Sequence, residues 1–221
     1  VLSTLGGLLI LILVPSGPHR RARTIKDHFA FIKVFKNQKF RAAAFGYFGH
    51  MWELYTFWAF VPVILSVFKM NYPELSLNIP LLSFFIIATG GLACIAGGYI
   101  SGRFGTKRTA ATALTLSGLC CAISPFLFFQ DSGLILIIFL IFWGAVVVAD
   151  SPLFSTLVAN NAEGESRGTA LTIVNSIGFA ITIVSIQLVT YLVTLINPLY
   201  VFPILALGPA FGLWKLLRKS W

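Results

Sequence analysis

From Ile79 to Gly102 the chain runs 24 residues without a charged side chain. At about 1.5 Å per helical residue that is about 36 Å, enough to cross the roughly 30 Å hydrocarbon core of a bilayer. The sequence repeats this kind of run six times, at about 42–68, 79–102, 109–130, 134–158, 169–196 and 199–217. A further apolar run, Val1 to Val14, is too short to cross by itself. Backbone groups in lipid must be satisfied within the segment, and none of these runs alternates as a barrel strand would, so each is expected to be a helix. The fold class is therefore an all-α membrane protein with six transmembrane helices plus a partial N-terminal helix. Composition agrees: 57% of residues are hydrophobic and 10% charged, against about one-quarter charged in soluble domains.

The charges fall between the runs. Of the 16 Lys and Arg, eight lie from Arg20 to Arg41, three at Arg103, Lys107 and Arg108, one at Arg167 and three at Lys215, Arg218 and Lys219. The alternate loops hold Lys69 alone. The heavier side is cytoplasmic by the positive-inside rule, which places the loop at Lys107 and the tail inside and Asp131 and Asn197 outside. The net charge of +9 thus reads as topology, not as a nucleic-acid surface. Four segments follow: 1–14, the end of a transmembrane helix; 15–41, a basic cytoplasmic linker; 42–217, the six-helix domain; and 218–221, a cytoplasmic tail. In the linker Ile25, Phe29, Ile32, Phe35 and Phe40 recur near helical spacing between lysines, the pattern of a basic amphipathic helix on the membrane surface. His28 within it reads as solvated. Val1 falls inside an apolar run with no basic start or cleavage site, so the chain is expected to continue upstream. Cys94, Cys120 and Cys121 lie inside spans at no metal-ligand spacing and read as packing residues. No metal or cofactor is expected.

Only two acids, Glu53 and Asp150, fall inside spans. A charge at mid-bilayer costs about 2.5–3.5 kcal/mol on insertion scales, so such residues face a cavity or a partner. On a 100° wheel Tyr47, His50, Glu53, Leu54 and Phe57 share one face of the first span, with Trp58 on its flank. Trp143, Val147, Asp150 and Phe154 share a face of the fourth, where Pro152 interrupts the backbone ladder beside the acid. Depth from helical rise puts Glu53 and His50 about 3 and 7 Å, and Asp150 about 6 Å, to the cytoplasmic side of their span centres. All three fit one layer. In the fifth span Thr172, Asn175, Ser176, Gln187 and Thr190 form a polar stripe, and in the second Gly90, Cys94, Gly98 and Gly102 form a close-packing face.

The second span ends "GGYISGRFGTKRT", in which Gly98, Gly102, Arg103, Gly105, Lys107 and Arg108 resemble the G-x-x-x-D-R-x-G-R-R loop of the major facilitator superfamily. Gly102 stands where the family's N-terminal copy has Asp, a departure typical of the copy in the second half. Pro152, Arg167 and Gly168 resemble the family's fourth-helix proline and the R-G that opens its fifth helix. The resemblance implies the C-terminal six-helix half of a transporter, a missing N-terminal six-helix half, and a first and fourth helix that line a central cavity. On it, Tyr47, His50, Glu53, Phe57, Trp58, Trp143, Asp150 and Asn175 are expected along the pathway for solute and protons, and the glycine face would support contact between halves. "GHMWELYTFWAFVPVIL" further resembles bacterial nitrate/nitrite or cyanate-type members, but no arginine lies within a span here, as it does in nitrate carriers.

The expectation is secondary active transport of a small solute in the cell (inner or plasma) membrane, proton-coupled with Glu53 as first carrier and Asp150 as the alternative. A non-transporting scaffold or sensor would not need the buried acids. An intramembrane hydrolase would need a G-x-S-G or G-x-G-D element, and neither occurs, so the chain is not expected to be an enzyme.

Overall fold

The computed structural model of the protein describes residues 2–14, 35–162, 164 and 167–218. The expected surface helix of the linker and His28 lie largely or wholly outside these residues. The described elements are α1 (Leu2–Leu13), α2 (Gln38–Asn71), α3 (Ile79–Phe104), α4 (Thr106–Phe128), α5 (Gly133–Ala149), α6 (Ser151–Asn161), α7 (Arg167–Leu195) and α8 (Leu207–Leu217). Two short 3-10 turns, Pro198–Tyr200 and Phe202–Ala206, lead into α8. Among the described residues six helical segments are long and apolar enough to cross a membrane, α5 with α6 counting as one and α8 with its 3-10 turns as another. The expected fold class holds: six helices consistent with half of a major facilitator fold, in a multi-pass membrane protein.

Local chemistry sets where these helices start and stop. The side chain of Asn37 caps α2 by accepting from the N–H groups of Lys39 (2.9 Å) and Phe40 (3.2 Å), which satisfies donors that have no partner inside the helix. The cap also moves the first span's start four residues ahead of residue 42, because apolar content alone does not register a cap. Asn78 caps α3 through Leu81 N–H at 3.2 Å. The joint between α3 and α4 is the single residue Gly105, at φ +88°, a conformation that a side chain would oppose. Between α5 and α6 the helix breaks at Asp150, because Pro152 has no N–H to continue the ladder.

The first span is the hub. Over its most apolar stretch 56% of residues are buried, against 17% in α3 and 22% in α7. Its backbone meets α8 almost directly: a Cβ on Gly208 would lie 2.6 Å from Gly49 O, and one on Gly49 would collide with Gly208 O. Small residues thus let two spans approach where lipid supplies no hydrophobic drive.

Two apolar clusters fill the interior. One is built around Phe57, Phe128, Trp143 and Phe202. The other is built around Phe40, Tyr47, Leu114 and Phe154. The polar side chains of α2 and of the α5–α6 break fall at the seam between them.

The glycine face of α3 is divided. Gly90 and Cys94 meet Val148 of α5, and Gly97, not Gly98, packs against Ala149. Gly98 and Gly102 have open space beside them. The expected face therefore closes against a helix of the same bundle over its first two members, since a spacing of four drifts around a helix of 3.6 residues per turn.

Candidate functional site

Helical spacing brings His50 and Glu53 onto one side of α2, and the bundle turns that side toward α4, α5 and α6. His50 is 1% exposed, and Glu53 and Asp150 are 0%. The expected common layer is present.

Each oxygen of Glu53 has its own donor. Trp143 Nε1–H donates to Oε1 at 2.7 Å, and Ser117 Oγ–H donates to Oε2 at 2.9 Å. The Ser117 hydroxyl divides its proton with the Leu114 carbonyl at 3.2 Å. Phe57 holds the indole in place, its ring 4.6 Å from that of Trp143. Such donors to a buried carboxylate contribute about 1.5–3 kcal/mol each when it is charged, and they replace water without supplying a counter-charge.

Asp150 is held differently. His50 Nδ1 lies 2.8 Å from its Oδ1, close enough for a proton on either group to serve both after a small rotation of the ring. No described residue gives either Asp150 oxygen a hydrogen bond of good geometry, and His50 Nε2 has no partner among them. The imidazole stands between the rings of Tyr47 (6.0 Å) and Phe154 (6.1 Å). A base and an acid this close in a dry site can pass between an ion pair and a neutral pair. The carboxyl also sits where the helix changes segments, so its surroundings depend on how α5 and α6 are set.

A ladder of hydroxyls joins α2 to α7. Thr56 Oγ1 and Ser185 Oγ are 2.7 Å apart, and Thr182 Oγ1 donates to Met51 O at 3.2 Å or Gly178 O at 3.1 Å. Sequence reasoning passed over Ser117, Thr182 and Ser185. Their signal was weak because a helical hydroxyl is commonly satisfied by its own preceding turn, as Ser124 is by Cys121 O.

The remaining expected residues scatter. Tyr47, Phe57 and Trp143 gather around the acids, but Trp58 packs edge-on against Tyr55 at 5.2 Å. Asn175 lies exposed with Thr172, Ser176, Gln187 and Thr190, so the polar stripe of α7 faces out of the bundle. The face of α2 expected to line an open cavity is instead sealed inside the six-helix unit, because α4, α5 and α6 close over it. Arg103 and Arg108 are exposed at the α3–α4 joint, and Lys107 is half-buried. Among the described residues no group of three or more His, Cys, Asp or Glu has the arrangement of a metal site.

A family model described as Major Facilitator Superfamily matches residues 1–219. The match carries no nitrate, nitrite or cyanate subtype. The search of curated proteins returned no match.

Proposed function

The chain belongs to the major facilitator superfamily, whose members carry small-molecule solutes across the bilayer, and on that premise we propose that it is the C-terminal half of a proton-coupled, alternating-access transporter of the cell inner membrane. The observation that carries this reading is the His50–Asp150 pair, an imidazole nitrogen 2.8 Å from a carboxylate oxygen, both buried at the seam of two apolar clusters. Coupling needs a group whose proton affinity differs between two conformations. A pair astride a helix break meets that need, because displacing α6 against α5 parts or joins acid and base. Glu53, first in the sequence-based ranking, acts here as the fixed member of the network that ties α2 to α4 and α5. The open faces of α3 and α7 suit contact with an N-terminal six-helix half, and the excess of Lys and Arg in alternate loops supports a cytoplasmic Lys107 loop and C-terminus.

The test uses the full-length protein in proteoliposomes with an inward proton gradient and a panel of labelled small solutes. The expected result is accumulation of at least one solute, lost in Asp150→Asn while exchange of labelled for unlabelled solute persists. If Glu53→Gln loses accumulation and Asp150→Asn keeps it, Glu53 is the carrier. If both keep it, coupling does not pass through this network.

A further inference from the structure

A cavity of about 520 Å³ lies between α3, α4 and α5, on the other side of α5 from the acids' hydrogen-bond network. It exists because its walls are made of small residues: Ala93, Ala96 and Gly97 from α3, Ala113 from α4, and Ala145 and Ala149 from α5. Gly97 cannot carry a Cβ without approaching Ala149 O at 2.9 Å, so the floor is already at backbone contact. The volume falls in the range of small-molecule sites, about 300–1,000 Å³, yet the walls offer almost nothing but carbon.

Besides the hydroxyls of Thr109 and Thr112, the polar group there is Arg108, the one charged residue of the lining. It lies in the first turn of α4, just past the Gly105 joint, and so at the boundary of bilayer and water whichever way the chain is oriented. Its side chain is exposed and has no ion pair or hydrogen bond among the described residues. Arg103 and Lys107 add cations at the same end, and no acid occurs in the chain from Leu75 to Gln130. An apolar slot in lipid-spanning helices with an unopposed guanidinium at its mouth suits an amphiphile with an anionic head.

We propose that this cavity holds one acyl chain of an anionic phospholipid whose phosphate rests on Arg108. Guanidinium matches phosphate through parallel N–H donors, and the slot gives the chain a wall on three sides. The proposal does not depend on proton coupling.

The full-length protein in phosphatidylcholine nanodiscs doped with photoactivatable phosphatidylglycerol tests it, with cross-links mapped by mass spectrometry. A photoactivatable phosphatidylcholine with the same chains is the control. Cross-links from the phosphatidylglycerol probe are expected at Ala96, Ala113 and Ala145. Arg108→Gln should lower them about five-fold, the factor one cation contributes near anionic lipid. Ala96→Phe places a ring in the slot from an exposed position and should remove them, while solubility and helix content stay as in wild type. Equal labelling by the two probes, or wild-type labelling in both variants, overturns the proposal.

Discussion

Glu53 and Asp150 are both without exposed surface, and they stand on neighbouring helices in one layer, yet they are solvated in opposite ways. Glu53 is met by neutral donors, an indole and a hydroxyl, fixed on α5 and α4. Asp150 is met by a base that can carry charge itself. Fixed dipoles stabilise a buried carboxylate without changing when a proton arrives elsewhere. A titrating partner makes the charge of each group depend on the other. The first arrangement suits a structural anchor; the second suits a site that changes state.

Four comparisons among variants of the full-length protein break or sharpen that contrast, from the largest expected effect downward. Asp150→Leu leaves His50 facing an apolar side chain and should cost about 3–5 kcal/mol, with much of it recovered in His50→Leu/Asp150→Leu. Equilibrium unfolding in mixed micelles reads this, and a double variant no better than the single would mean the pair is not a unit. Trp143→Phe deprives Glu53 of its shorter hydrogen bond and should cost about 1.5–3 kcal/mol in the same assay, with no rescue by His50→Leu. In transport, Asp150→Asn should lower the accumulation ratio at least about tenfold, about 1.4 kcal/mol, whereas Glu53→Gln should lower it by less. Equal losses would erase the distinction between the two acids. Thr56→Val, which removes one rung of the α2–α7 ladder, should cost only about 0.6 kcal/mol, the average for hydrogen bonds between membrane helices. A loss as large as that of Trp143→Phe would move α7 into the same network.

The spans and their boundaries were legible because bilayer thickness imposes a length that apolar runs must meet, and caps at Asn37 and Asn78 refined them by only a few residues. That His50, Glu53 and Asp150 share a layer was legible too, since helical rise converts residue number into depth. What opposes them was not. In lipid both sides of a helix are apolar, so periodicity does not say which side is inside. On α7 the stripe through Asn175 and Gln187 faces out, whereas Thr182 and Ser185 on the other side are the ones that bond to α2. Glu53 ranked first in the sequence as an acid among large apolar residues; Ser117, which helps to satisfy it, is 64 residues away on α4 and unmarked by any pattern. The sealing of the α2 face likewise follows from how α4 to α6 close over it, which no single-span reading contains.

The break at Asp150 has a mechanical consequence. The 11 residues of α6 form a rod of about 16 Å, and a rotation of about 10° at its hinge would sweep the far end by about 3 Å over that helical length. The far end is not loose. Asn161 O there accepts a hydrogen bond from Asn37 Nδ2 at 3.1 Å, and Asn37 is the residue whose side-chain oxygen starts α2. A rotation at the acid would therefore pull, through that bond, on the first turn of the helix that carries His50 and Glu53. A lever with its fulcrum at one member of the network and its load at the root of the others closes a mechanical loop.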